Sequence, residues 1–437
     1  MNAPLWSQPI HEQTAAARSV PGTTSVLVQR TREQIAAREP DLRAWVTLSP
    51  DIAAQAALVD GTEGNLPLRG ISLGVKDLVD VEGLPTRAGS SITDPTPATK
   101  DADCVARLRR LGAVVQGKTV TTEFGYFAPG PTSNPRLAGH TPGGSSSGSA
   151  AAVGSGSIPL ALGTQTAGSL TRPASFCGAA GMVLAHGTAD MSGITGLSES
   201  LDSLGLLTRT VDDLRTVYRA LQEPDPAAPR GVRVGPVFVW LGSELDVVSP
   251  PMQKLVGGLP PLLEAVGVES RALDWDDHVR TLAADHAVVM AREAAQTRGA
   301  ELRCHGDALS GALRQLLEQG AQIGLDDHGS ALARRDRSLE LLAGILGDDG
   351  LVIGPAALGP APRGLAATGS PILSRPWQLL GMPVVIVPGA ATTAGLPLGI
   401  QIVGLPGREG DMLDLAVKLE AALRDLSPVP DEAGARP

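Results

Sequence analysis

Residues 141–178 read TPGGSSSGSAAAVGSGSIPLALGTQTAGSLTRPASFCG, with eight serines set among glycine and alanine and no acidic side chain. A run so rich in Gly and Ser is ordinarily a flexible linker. A linker, however, has no use for the apolar Ile158-Pro159-Leu160-Ala161-Leu162 or for the Thr-x-Thr-x-Gly-Ser turn that follows at Thr164–Ser169. Residues without bulk let backbone amides come close to a neighbouring group. The stretch therefore reads as structured: a small-residue helix beginning at Ala150–Val153, a strand end at Leu160–Gly163, and the Thr-x-Thr-x-Gly-Ser turn after it.

Outward from it, helix and strand periodicities alternate, which predicts an α/β sandwich. On the N-terminal side, Ser25–Arg38 and Pro50–Val59 have helical spacing, with a short strand at Leu42–Leu48 between them. Leu68–Val81 mixes β-branched runs with glycine and carries Lys76 between Val75 and Asp77. Asp101–Leu111 reads as an amphipathic helix capped by an Asp. On the C-terminal side, Val211–Gln222 is a helix opened by Thr210, and Arg230–Pro236 begins a new unit. Its strand at Val232–Trp240, helix at Met252–Val266 and strand at Val268–Leu273 lead into a mostly helical part ending near Leu346. Leu351–Pro355, Met382–Val387 and Leu398–Val403 read as buried strands, Asp411–Leu423 as a final helix, and the tail after Ser427 as frayed.

Composition narrows the function. The 437 residues allow a sizeable core, and 43% hydrophobic with 19% charged residues is ordinary for a globular chain. A net charge of −10 argues against nucleic-acid or anionic-membrane partners, because nothing is available to neutralise phosphates. The leader MNAPLWSQPIHEQTAAARSV has no basic region followed by an apolar run, so a cytoplasmic protein is expected. Pro376–Gly407 lacks charge, but its prolines and glycines indicate buried strands rather than a membrane span. Cys104, Cys177 and Cys304 show no CxxC spacing and read as buried reduced thiols. The triplets Asp276-Asp277-His278 and Asp326-Asp327-His328 read as helix caps, and no metal or cofactor is expected.

A serine hydroxyl becomes a nucleophile only when a base takes its proton. His140 and His186 flank the serine stretch without an acidic residue to orient them, and Gly144-Ser145-Ser146-Ser147-Gly148 lacks the preceding strand of a nucleophile elbow. Lysine can replace histidine where burial lowers its pKa, by up to roughly 3 to 5 units. Lys76, hemmed by Leu73, Val75, Leu78 and Val79, is the best candidate. Gly112–Thr119, GAVVQGKT, matches a phosphate-loop expression letter for letter. Such a loop follows a strand and opens a helix, whereas this octet is strand-like and follows a helix.

GVKDLVDVEGLPTRAGS around Lys76, GKTVTTEF around Lys118, GGSSSGSAAAV around Ser145, GTQTAGSLTRPASFCG around Ser169, and LDSLGLLTRTVDDL together resemble the amidase signature family. The likeness is dense over Gly70–Val211 and returns at PLGIQIVG near the end. It implies an α/β fold with a large mixed twisted sheet between helices and a variable, mostly helical part. As a single domain this divides into a helical lead-in (1–66), the signature core (67–222), a substrate-side part (230–346) and C-terminal strands with a helix (347–426).

By the same resemblance Lys76 is the base, Ser145 the bridging serine in a cis peptide with Gly144, and Ser169 the nucleophile. The backbone amides of Thr166, Ala167, Gly168 and Ser169 form the oxyanion hole. The chain departs from the family at Gln165, where many members have Asp, at Ala167, where many have Gly, and at Val183-Leu184-Ala185-His186, which replaces a common Phe-Lys-Pro turn. The expected activity is hydrolysis of small neutral or aryl amides through an acyl-enzyme, with carbamates (urethanes) and esters within the same mechanism. Selectivity falls to Phe124–Leu137, Asp190–Ser200 and Asp276–Leu346. The expected partner is a small-molecule amide or carbamate, with the chain a monomer or homodimer. The alternatives are a glutaminase subunit of a tRNA-dependent amidotransferase, a P-loop nucleotide-binding protein, and an inactive amidase-like binding module.

Overall fold

The computed structural model describes residues 4–222, 234–242 and 247–431. The lead-in forms α1 (Ile10–Ser19), α2 (Thr23–Leu42), β1 (Trp45–Leu48) and α3 (Ile52–Gly61). It is followed by β2 (Ser72–Lys76), α4 (Asp103–Arg110), β3 (Val114–Thr119), α5 (Ser147–Gly154), β4 (Leu160–Gln165), α6 (Thr171–Cys177), β5 (Ala180–Val183), β6 (Ser203–Thr208) and α7 (Val211–Leu221). The helical part contains β7 (Val237–Val239), α8 (Pro250–Gly257), α9 (Leu259–Ala265), β8 (Ser270–Ala272), α10 (Asp276–His305), α11 (Gly311–Gln322) and α12 (Leu325–Leu346). The chain ends in β9 (Leu351–Pro355), α13 (Arg375–Leu379), β10 (Val384–Ala391), β11 (Pro397–Val403) and α14 (Glu409–Arg424).

One sheet of eleven strands takes members from every segment, in the order β1-β3-β2-β4-β6-β5-β10-β11-β9-β7-β8. It is mixed: β3, β2 and β4 run parallel, β9, β7 and β8 run parallel, and the strands between alternate. The central strands are buried on both faces, as a sheet covered by helices requires. Along β6 the two faces are explicit. A Cβ on Gly205 would meet Leu170 at the start of α6, while Leu204 and Leu206 line a cavity with Tyr218 and Leu221 of α7. Helices α6 and α7 thus cover opposite faces, and the serine stretch lies on the α6 side.

Several sequence expectations need correction. Asp101 does not cap α4, whose N-cap is Ala102; its carboxylate instead pairs with Arg109 at 3.0 Å and accepts the Glu82 N–H. The helix expected at Met252–Val266 is two helices that break at Gly257-Gly258, and Pro260 and Pro261 follow the break. The paired aspartates of both Asp-Asp-His triplets lie in the first turns of α10 and α12, where they suit the helix dipole, and the N-caps are Trp275 and Gly324. No group of three metal-ligating side chains occurs among the described residues. Cys104 and Cys177 are buried but Cys304 is exposed near the end of α10. The tail is not frayed through Asp431: Val429 N–H donates to Ala391, and Asp431 accepts from Thr393 and Ala394. Residues 230–233, where a new unit was expected to begin, lie outside the described residues.

Candidate active site

The phosphate-loop octet is strand β3 with the turn before it, and Lys118 is fully enclosed there, 3.0 Å from Asp77. No phosphate can reach it, so the nucleotide reading fails on position. The same strand pairing explains where Lys76 sits. Lys76 ends β2, between β3 and β4, and its side chain is completely buried.

Its Nζ lies 2.7 Å from Ser145 Oγ, 2.8 Å from Thr164 Oγ1 and 3.3 Å from the Thr164 carbonyl. Burial lowers its pKa to about 7, against a smaller upward pull from Asp202. A neutral amine has two N–H groups and one lone pair. Thr164 offers two acceptors, which leaves the lone pair for the hydroxyl of Ser145.

Six of the eight serines in the stretch have structural duties. Ser146, Ser147, Ser149, Ser155 and Ser157 donate to the carbonyls of Thr164, Val120, Leu162, Ala152 and Ala152. Ser175 accepts the Gly399 N–H. Ser145 meets Lys76, and Ser169 lines a cleft together with Ser145. The Gly144–Ser145 peptide is cis. Ser146 N–H donates to the Ser169 carbonyl at 3.0 Å, which joins the two segments directly after Ser145.

Gln165 organises the turn. Its Oε1 accepts from Leu170 N–H, Thr171 N–H and the Thr171 hydroxyl, each at 3.0 Å, so it satisfies the first amides of α6. The amides of Thr166, Ala167, Gly168 and Ser169 precede these, and all four residues line the cleft. Space at 168 is tight, since a Cβ there would stand 3.0 Å from both Arg172 Nη1 and Pro371 Cβ, an approach that favours glycine.

The cleft is tight, with a cavity volume of about 10 Å³, room for about one water. Its walls include Tyr126 and Phe127 from the first expected selectivity segment, Leu197 from the second and Met290 from the third, but also Arg172, Thr368 and Pro371, which none of the three contains. Phe124 and Phe127 hold φ of 46° and 30°, conformations that bulky residues seldom adopt outside functional sites. Buried Arg172 donates to Gly144 O at 2.7 Å and to Thr368 O at 2.6 Å, fastening the serine loop to the C-terminal segment.

The flanking histidines take no part. His140 is held near Ala138 O, and His186 Nε2 lies 2.9 Å from Glu199 O. Sequence reasoning also missed two residues beside the turn, one half-buried and one fully buried. Asp202 accepts the Thr166 hydroxyl at 2.5 Å together with the amides of Leu197 and Ser198; burial raises its pKa and those hydrogen bonds oppose the rise. His286, on α10, lies with Nε2 2.8 Å from the Thr166 carbonyl. Asp202 stood inside a quoted motif and was legible there, whereas His286 carries no local signal.

A fully buried lysine touching the hydroxyl of a serine that lines a narrow cleft is chemistry for moving protons. The profile of the family described as Amidase matches residues 26–244. AmiA2 of Mycobacterium bovis, named as an amidase, is 31% identical over 454 residues, covering 93% of this chain and 91% of that one. A glutamyl-tRNA(Gln) amidotransferase subunit of Anaeromyxobacter sp. strain K is 30% identical over 483 residues, covering 95% of each. A solved amidase crystal structure superposes with a TM-score of 0.84 at 28% identity, over 95% of this chain and all of that one. The chain belongs to the amidase signature family. It is an amidase-family hydrolase of carbon–nitrogen bonds. Among the described residues no helix is long and apolar enough to cross a membrane.

Proposed function

We propose that the chain hydrolyses small neutral or aryl amides through an acyl-enzyme on Ser169, with Ser145 as proton bridge and Lys76 as base. The observation that carries this reading is the 2.7 Å contact between Lys76 and Ser145, with the lysine pKa brought to about 7 by burial. In the first step Lys76 takes the Ser145 proton while Ser145 takes that of Ser169. The Ser169 oxygen bonds to the carbonyl carbon, and the carbonyl electrons become an oxyanion facing the amides of Thr166, Ala167, Gly168 and Ser169. Each such donor is worth about 3 kcal/mol in the transition state. Collapse breaks the C–N bond, and the proton on Lys76 returns through Ser145 to the departing amine. Water then repeats the sequence on the ester.

Carbamates and esters present the same carbonyl and fall within this mechanism. The small cleft and its walls of Tyr126, Phe127, Leu197, Met290 and Pro371 favour a compact, apolar or aryl acyl group. The relation to an amidotransferase keeps one alternative, glutamine hydrolysis within a larger complex.

A fluorophosphonate probe with peptide mapping, run beside a panel of anilides, aliphatic amides, aryl carbamates and glutamine, tests the proposal. The expected result is adduct on Ser169, lost in Ser169→Ala, with turnover of amides by the isolated chain. Absence of labelling, or turnover of glutamine alone and only with added partners, would overturn it.

A further inference from the structure

Thr166, the first residue of the oxyanion turn, is held at two points. Its hydroxyl is bound to Asp202, and its carbonyl lies 2.8 Å from Nε2 of His286, a fully buried ring. A carbonyl oxygen only accepts, so Nε2 carries the hydrogen. Nδ1 has no partner among the described residues, and burial, reinforced by Arg375, pushes the ring pKa down to about 3. The ring is thus a neutral, single-tautomer donor.

This contact fixes more than one atom. Among the described residues the only cis peptide is Gly144–Ser145, so Thr166–Ala167 is trans. In a planar trans peptide the carbonyl and the following N–H point in opposite directions. Anchoring the Thr166 carbonyl on His286 therefore turns the Ala167 N–H away from α10's ring, in a turn whose residues line the cleft. No acceptor for that N–H is found among the described residues.

The same helix face controls the surroundings. His286, Met290 and Glu293 are four and three positions apart and so project from one side of α10. Met290 lines the cleft. Glu293 accepts from the Ser198 hydroxyl and from the Ser200 amide and hydroxyl, in the loop that leads to Asp202.

We infer that His286 is a positioning residue for acyl transfer: its Nε2–H, donated to the Thr166 carbonyl, aims the Ala167 N–H at the developing oxyanion. The helical segment then sets the rate of the chemistry as well as the shape of the cleft. The inference rests on the acyl-enzyme reading given above.

The test compares His286→Met, of similar length but without a donor, with His286→Gln, whose amide can donate to the same carbonyl. Readouts are kcat, KM and the affinity of a trifluoromethyl ketone, which Ser169 converts to a hemiketal oxyanion. His286→Met is expected to lower kcat about ten- to a hundredfold, within the loss typical of a displaced oxyanion donor. KM should change by less than about threefold, and ketone affinity should fall in step with kcat/KM. His286→Gln should keep most of both. If His286→Met does not fold, His286→Asn replaces it, since its amide is one methylene shorter than that of Gln and falls short of the carbonyl. A folded donor-less variant with the parent kcat, a loss confined to KM, or a Gln variant as impaired as the others would overturn the inference alone. A parent protein that neither turns over amides nor binds the ketone would overturn the acyl-enzyme reading, and this inference with it.

Discussion

Lys118 Nζ lies 3.0 Å from Asp77 Oδ1, with both side chains completely enclosed. Asp77 adjoins Lys76 in the chain, yet its carboxylate is committed to Lys118 and the Arg87 amide. Burial pushes Asp77 up and Lys118 down, and their mutual attraction opposes both shifts. The pairing leaves Lys76 without an ion-pair partner among the described residues, the condition under which burial can neutralise it. Lys118→Met should cost about 3–5 kcal/mol in denaturant unfolding, because it strands a buried carboxylate. Asp77→Asn in the same background should recover part of that loss. A single variant within 1 kcal/mol of the parent, a margin typical of exposed pairs, would show the pair to be incidental.

The lowered pKa of Lys76 sets a pH profile. Its ordinary value is 10.5 and its folded value about 7, so the amine is charged below about pH 7 and able to accept a proton above it. The kcat/KM should therefore rise through about pH 7 and level off. Lys76→Ala should lose about 10²–10⁴ in rate and shift its optimum upward as hydroxide takes over. The sign for stability follows. Between about pH 7 and 10.5 the unfolded chain holds a proton here that the folded chain has lost, so raising the pH through that window stabilises the fold. An acid limb unchanged in Lys76→Ala would assign it to another group.

Strands β3, β4, β9 and β11 were legible because each is a short β-branched or apolar run, and α7 because Thr210 accepts the Asp213 amide as an N-cap. The signature motifs, lying in a fixed order, picked out Lys76 and Ser145, which the fold brings into contact, and Ser169, which lines the cleft with Ser145. Spatial neighbours far along the chain were not legible. Thr164, which provides the two acceptors for Lys76, looks like any strand threonine. His286 is one polar residue in a thirty-residue helix whose apolar stripe is weak in sequence. Thr368 and Pro371 reach the cleft from a segment without periodicity. The phosphate-loop letters carried no weight because the octet is strand-like and follows a helix, and the enclosed Lys118 on β3 agrees.

Gln165 carries a further prediction. Its Oε1 takes three donors at the start of α6, and its Nε2 donates to Gln378 Oε1 at 3.0 Å. Gln378 cannot turn its amide over, because its own Nε2 serves Gln165 O, Leu201 O and Ser203 Oγ. Gln165→Leu should cost about 2–4 kcal/mol by thermal or denaturant unfolding, from amides left unpaired in a buried site. Gln165→Glu keeps the acceptors but sets a carboxylate oxygen against Gln378 Oε1. Its loss should be about 1–3 kcal/mol and should shrink at low pH, where the carboxyl can donate. Equal stability of Gln and Glu at pH 8 would count against this account.

The smallness of the serine stretch has a steric origin that a single methyl group tests. A Cβ on Gly148, in the first turn of α5, would lie 2.2 Å from the Ala44 carbonyl and 2.3 Å from the Val120 amide. Both are backbone atoms at the ends of β1 and β3, where the Val120 N–H donates to Ala44 O and Gly148 N–H donates to Val120 O. Neither can swing aside as a side chain would. Gly148→Ala gains helix propensity of about 1 kcal/mol, but it must push α5 away from the sheet, and overpacking of this kind costs about 1–3 kcal/mol or more. The net effect should be a loss of stability. Because Ser145 lies three residues earlier and must stay within 2.7 Å of Lys76, activity should fall further than stability alone explains. Gly156→Ala, beyond the same helix, is the comparison: its Cβ would meet nothing within 4 Å, and its only penalty is the positive φ of 77°. It should lower stability by about 1 kcal/mol and leave kcat unchanged. If both variants lost kcat equally, the close approach at Gly148 would not be what holds Ser145 in place.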